Sequence, residues 1–185
     1  MEYKGIEFDA VIATPGCGKS YLADKDDRFV DVDEVRLRSK YIVPEDVTRE
    51  ELERTKGERT WTRIKDYKGI FADKLDEYVA QGKILIAAPH PESFDYFDSR
   101  GIKYCFVYPK GDTREAMKKR FELRNNPANF IKENDDAFDD FYISNRQDKR
   151  AAVHYEFGAD EYLEGILKKF GVPFEEKQPS VMEKV

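Results

Sequence analysis

Residues Ala13 to Ser20 read Ala-Thr-Pro-Gly-Cys-Gly-Lys-Ser. They follow the apolar run Phe-Asp-Ala-Val-Ile-Ala, which reads as a buried strand, and precede a stretch able to start a helix. The spacing is that of a phosphate-cradling loop, G-x-x-x-x-G-K-[ST], with Ala13 in place of the first glycine. Gly16 and Gly18 let backbone N–H groups curl inward around an anion, and the helix start adds partial positive charge. Lys19 would reach the outer phosphates, and Ser20 would ligate Mg²⁺. Thr14 to Tyr21, including Pro15 and Cys17, are thus expected to bind a nucleoside triphosphate, ATP with Mg²⁺.

Phosphate binding alone does not name a reaction. The next apolar run, Arg28 to Asp33, ends in Asp31 and Asp33, with Arg36 three residues on. A carboxylate there can take a hydroxyl proton or hold a metal, and an arginine can grip an acceptor phosphate bidentately. Asp31, Asp33, Arg36 and His90 are therefore candidate acceptor-binding residues, with Asp33 also catalytic and, with Ser20, a metal ligand. Arg120 and Arg124 lie four apart, on one helix face, and with Lys19 and Asp33 complete the predicted catalytic set. Arg114 is a weaker candidate at the start of the same helix.

These residues need a scaffold. Continuous apolar runs end near Ala13, Asp33, Pro89, Pro109 and Phe157, and helical patterns alternate with them. That alternation predicts βαβ units in a mostly parallel sheet, with ligands at the carboxyl ends of the strands. Helices are predicted from Gly18, from Thr48 with a capping box to Glu51, over 63–81, 92–101 and 112–124, from Pro127 to about Tyr142, and over 159–170. Asn145 to Gln147 precede the last strand, where a base could be contacted. His154 reads as a core or edge histidine. The tail after Phe174 is expected to fray.

The chain resembles P-loop kinases of the nucleotide kinase group, which includes adenylate kinase and polynucleotide kinase. The loop carries the resemblance, together with Asp-Glu-Val-Arg at Asp33 to Arg36, which is similar to the D-x-x-R of both subgroups. The segment from Tyr108 to Pro127 is similar to a small phage-encoded nucleotide kinase-like family. Where adenylate kinases carry Pro-Arg, this chain has Pro89-His90.

The resemblance implies a three-layer α/β sandwich with a five-stranded, mainly parallel sheet. It implies one domain over residues 1–173, with a small acceptor insertion at 37–62, a short lid region at 110–126, and a tail at 174–185. It further implies phosphoryl transfer from ATP to a nucleotide, chiefly a nucleoside or deoxynucleoside monophosphate, with lid arginines offsetting charge on the transferring group. The alternative acceptor is a nucleic acid, at a 5′-hydroxyl or at a hydroxymethylated base within phage DNA.

Composition bounds these readings. The 185 residues suit one domain with a sizeable core. The net charge of −6 disfavours a general nucleic-acid binder. Yet nine Lys and Arg lie between Arg36 and Lys65, interleaved with Glu50, Glu51, Glu53 and Glu58. Two cysteines without metal spacing fit a reducing cytoplasm, and no apolar run is long enough for a membrane span.

Overall fold

The computed structural model describes residues 1–33, 39–41, 48–54, 61–63 and 67–174. Its centre is a sheet of five strands: β3 (Ala10–Ala13), β4 (Phe29–Asp31), β7 (Ile84–Ala87), β8 (Tyr104–Pro109) and β9 (Val153–Phe157). Their spatial order is β4-β7-β3-β8-β9, and every adjacent pair is parallel. All four residues of β3 and all six of β8 are buried, the continuous apolar pattern of strands covered on both faces.

The flanking helices are α1 (Lys19–Lys25), α3 (Tyr67–Ala80), α4 (Pro91–Ser99), α5 (Arg114–Leu123), α6 (Ala128–Asp136), α7 (Phe138–Gln147) and α8 (Leu163–Lys169). Two apolar layers result, one per face. Leu22 of α1, Met117 and Phe121 of α5 and Leu163, Ile166 and Leu167 of α8 pack with Val11, Ile86 and Val107. Phe71 and Leu75 of α3 and Tyr96 and Phe97 of α4 pack with Ile12, Leu85 and Phe106. This is the α/β architecture with helices on both faces that the alternating pattern predicts, with a sheet that is entirely parallel.

Local signals explain several boundaries. Pro91 opens α4, a position where its missing N–H costs nothing. Gly82, with φ 72°, follows α3. Thr48 Oγ1 accepts from Glu51 N at 3.2 Å at the start of α2 (Arg49–Arg54), as the capping-box spacing predicts.

Elsewhere the structure departs from the expected elements. The helix predicted from Pro127 to Tyr142 is two helices, α6 and α7, divided at Ala137. Phe130 of α6 lies edge-on to Phe121 of α5, whereas Phe138 of α7 is buried in the sheet-facing core. The predicted closing helix begins at Leu163, so Asp160 to Tyr162 belong to a loop. Within it Glu161 Oε2 accepts from Gly158 N at 2.6 Å, and Glu161 N donates back to Gly158 O at 3.1 Å.

Two antiparallel pairs were not expected. One is β1 (Glu2–Tyr3) with β2 (Ile6–Glu7), turned at Lys4 and Gly5, both with positive φ. The other is β5 (Ser39–Tyr41) with β6 (Trp61–Arg63), inside the predicted acceptor insertion. Most of that insertion, Arg36 and the tail from residue 175 on lie outside the described residues.

Candidate functional site

β3 is flanked by β7 and β8, neither its neighbour in sequence. A crevice opens where the strand order reverses, and the Ala13–Ser20 loop fills it. Gly16 and Gly18 have φ of 80° and 93°, a region that residues with a Cβ avoid. Space matters too: a Cβ on Gly16 would lie 2.9 Å from both Met117 Cε and Phe121 Cε1. Glycine is thus required there by backbone conformation and by the close approach of α5.

The loop presents unmet donors. Among the described residues, no carbonyl or side chain accepts from the N–H groups of Gly16, Cys17, Gly18 and Ser20. Thr14 Oγ1 is buried and has no partner. Such groups are costly unless something binds them.

Lys19 is buried, and its Nζ donates to Ala13 O at 3.2 Å and, at the limit of a hydrogen bond, to Thr14 O at 3.5 Å. Burial would push its ammonium pKa down. The Cys17, Asp31 and Asp33 groups outweigh that and raise it, while the Arg124 guanidinium acts the other way. Lys19 therefore stays charged and turned onto its own loop. The Cys17 thiol is pushed up, chiefly by burial, which makes it an inert wall of the loop rather than a redox group.

Asp31 stands at the end of β4, separated from β3 by β7. It nevertheless accepts from Ser20 Oγ at 3.0 Å on Oδ2, and its Oδ1 accepts from Asp33 N at 3.1 Å. Asp33 Oδ2 accepts from Ala88 N at 2.9 Å, just past the end of β7. β7 ends in Ala87, followed by Ala88, with no carboxylate of its own; the two carboxylates come from the end of the neighbouring strand β4 and the turn after it. Asp31, expected on the acceptor side, is the carboxylate joined to the loop hydroxyl. Asp33, expected to share a metal with Ser20, accepts from the backbone N–H of Ala88 just past β7.

The oxygen-only set of Ser20 and Asp31 beside the loop fits a hard cation such as Mg²⁺, which keeps several waters and shares phosphate oxygens. No cluster of three or more His, Cys, Asp or Glu able to hold a metal occurs among the described residues.

The paired arginines separate. Arg120 is buried and donates to three backbone carbonyls: Gly16 O at 3.2 Å, Ala159 O at 2.6 Å and Glu161 O at 3.0 Å. Its guanidinium lies 4.0 Å from the centre of the Tyr162 ring. Arg120 is a brace between the loop and the β9–α8 connection, not an arginine open to a transferring group. The reason is its place on α5, between buried Met117 and Phe121. For the same reason most of the expected lid, 110–126, is part of the body.

Arg124 caps the exposed end of α5, and among the described residues its guanidinium has no hydrogen bond or ion pair. Arg114 is engaged elsewhere, with Asp135 at 2.7 Å and Asp139 at 3.4 Å.

A groove of about 990 Å³ adjoins the loop. Gly16, Gly18, Ser20 and Tyr21 form one wall, Arg120, Leu123 and Arg124 another, and Asp160 to Tyr162 with Glu164, Gly165, Lys168 and Lys169 a third. Tyr21, Leu123 and Tyr162 are exposed there. Of the expected base-contacting residues, Arg146 and Gln147 do not line it, Arg146 pairing with Glu156 at 3.0 Å, and the Asn145 side chain lies outside what is described. Sequence reasoning missed Asp160 to Tyr162 because an apolar-periodic stretch follows directly and absorbs them into a helix. The Gly158–Glu161 spacing was the available turn signal.

His90 precedes α4 and pairs through Nδ1 with Glu92, whose other oxygen accepts from Tyr67 OH. Burial raises the Glu92 carboxyl, and these partners hold it below its ordinary value. His154 Nε2 lies 2.7 Å from Asp148 O, and its ring lies against Phe106 and Tyr108 as expected of a structural histidine.

The fold and site together define an α/β protein with a five-stranded parallel sheet and a glycine-turned loop at its switch point. The sequence matches no protein-family model and no curated protein. No helix among the described residues is long and apolar enough to cross a membrane.

Proposed function

We propose that this protein is a P-loop kinase that moves the terminal phosphoryl group of ATP, with Mg²⁺, to a nucleotide acceptor, a nucleoside or deoxynucleoside monophosphate. The observation that carries the reading is the Ser20–Asp31 hydrogen bond beside a loop whose N–H groups are unmet. A plain strand–turn–helix has no need of a hydroxyl at the helix start joined to the carboxylate that ends β4.

In this reading the loop N–H groups and Thr14 bind the donor phosphates. Lys19 exchanges its loop carbonyls for phosphate oxygens, remaining charged throughout. Ser20 and Asp31 would hold Mg²⁺, which when bound neutralises phosphate charge and orients the phosphates. The donor nucleoside occupies the groove past Gly18, against Tyr21, Leu123 and Tyr162. Arg124 offsets charge on the transferring group, and Arg120 keeps the loop in shape behind it. Asp33, fixed on Ala88 N, orients the acceptor hydroxyl or phosphate, with His90 farther along the same edge.

The test is transfer of label from γ-labelled ATP to a panel of ribo- and deoxynucleoside monophosphates, 5′-hydroxyl oligonucleotides and hydroxymethylated DNA. Label on a monophosphate is the expected result. No transfer to any acceptor, with no Mg·ATP binding, would overturn the reading.

One observation favours a nucleic-acid acceptor: the nine basic residues between Arg36 and Lys65. In that case label appears on an oligonucleotide, affinity falls steeply with salt, and Asp33 becomes the general base.

A further inference from the structure

The end of α5 carries a contact that its own stability does not require. Asn125 has φ 51°, and its N–H donates to Glu122 O at 2.9 Å, closing the helix in the left-handed conformation that asparagine tolerates. Its side chain does something else. Asn125 Nδ2 donates to Arg54 O at 2.7 Å, across 71 positions of sequence. Arg54 is the last residue of α2, so its carbonyl is one that a helix end leaves unsatisfied. Asn125 therefore caps a helix of the insertion from the far side of the loop.

The next residue, Asn126, is anchored differently. It is buried, and both its N–H and its Nδ2 donate to Phe121 O. Between the buried base of α5 and this anchor, Leu123 to Asn125 are exposed. Arg124 is among them, exposed in the groove wall. The side-chain tether of this segment runs through Asn125 to the insertion.

We infer that Asn125 is a positioning residue, which through Arg54 O ties the insertion to Arg124, so that seating of the insertion and the arginine's contact with the donor phosphates change together. This rests on the phosphoryl-transfer reading for the identity of the ligand. It assigns the coupling to one side-chain amide, without adding a group to the chemistry.

The experiment is a double-mutant cycle. Binding of a non-hydrolysable ATP analogue with Mg²⁺ is measured by calorimetry for the wild type, Asn125→Gly, Arg124→Ala and the double variant. Glycine keeps the positive φ and removes only the amide. Asn125→Asp, equal in shape but with a carboxylate in place of the N–H donor, serves as a second variant, measured at high salt so that its added charge does not itself repel the nucleotide. Loss of one such hydrogen bond is expected to weaken binding roughly fivefold, with an unchanged melting temperature. The double variant should bind like Arg124→Ala alone. Wild-type affinity in both Asn125 variants, or losses that multiply in the double variant, would overturn the inference while leaving the kinase reading intact. A wild type that fails to bind the analogue would overturn the kinase reading, and the inference with it.

Discussion

Ser20 Oγ, in the first turn of α1, and Asp31 Oδ2, at the end of β4, meet at 3.0 Å, although β7 lies between β4 and the strand β3 that leads into the loop. The contact joins the loop that would bind phosphate to the strand end that would face the acceptor. Replacing Asp31 by Asn keeps the shape and removes the charge. Transfer is expected to fall by about 10²-fold or more, with the Mg²⁺ requirement shifted to higher concentration. Steady-state rates across a Mg²⁺ titration check this. An unchanged Mg²⁺ dependence would return Asp31 to a purely structural part.

Arg120 and Arg124 should behave as opposites. Arg120 is buried with three carbonyl acceptors, so Arg120→Met leaves those carbonyls unmet and should destabilise the fold by about 2–4 kcal/mol. Arg124→Ala should leave the melting temperature in place and lower kcat by roughly 10²- to 10³-fold. Thermal unfolding and turnover, measured on both variants, separate the two roles. Equal melting losses would show that Arg124 is also a brace.

Gly16→Ala meets two obstacles at once: a φ of 80°, and contacts at 2.9 Å with Met117 and Phe121. The expected cost is about 1–3 kcal/mol, with loss of nucleotide affinity as the loop shifts. Gly69→Ala is the control. Its Cβ meets nothing within 4 Å, and helix propensity predicts a gain of up to about 1 kcal/mol.

Glu161 braces the loop that Arg120 grips. Burial alone would raise its carboxyl pKa. Lys169, the Gly158 N–H and Tyr155 OH outweigh that and hold it at about 2, against an ordinary 4.5. A depressed carboxylate stabilises the fold above its unfolded pKa, and that contribution drains away as pH falls from 4.5 toward 2. Unfolding free energy should therefore drop more steeply over that window in the wild type than in Glu161→Gln. Parallel acid titrations of the two proteins would contradict the brace.

Local signals were sufficient for the scaffold and the loop. Apolar runs ending in Gly16-Cys17-Gly18-Lys19-Ser20 can form little other than a buried strand, a tight turn and a helix start. The Thr48–Glu51 spacing acts within one turn of chain, so it was legible as well. The parallel sheet follows from alternating elements, because two parallel strands need a crossover between them.

What lay beyond the sequence was every relationship between residues far apart in it. The β5–β6 pair is long-range, and its polar strands carry no period that marks them. Arg120 and Arg124 are identical in type and share a helix face, yet one is sealed by Met117, Phe121 and the β9–α8 connection and the other is left open. Nothing local distinguishes them. Asp31 and Asp33 likewise part by what the fold brings beside each, Ser20 of α1 for one and the Ala88 N–H past β7 for the other. Residue type and spacing determined which groups could handle phosphate, since that chemistry depends on short-range backbone shape. Only the tertiary structure decided which of those groups faces the groove, because burial and partner choice are set by the packing of elements distant in the chain.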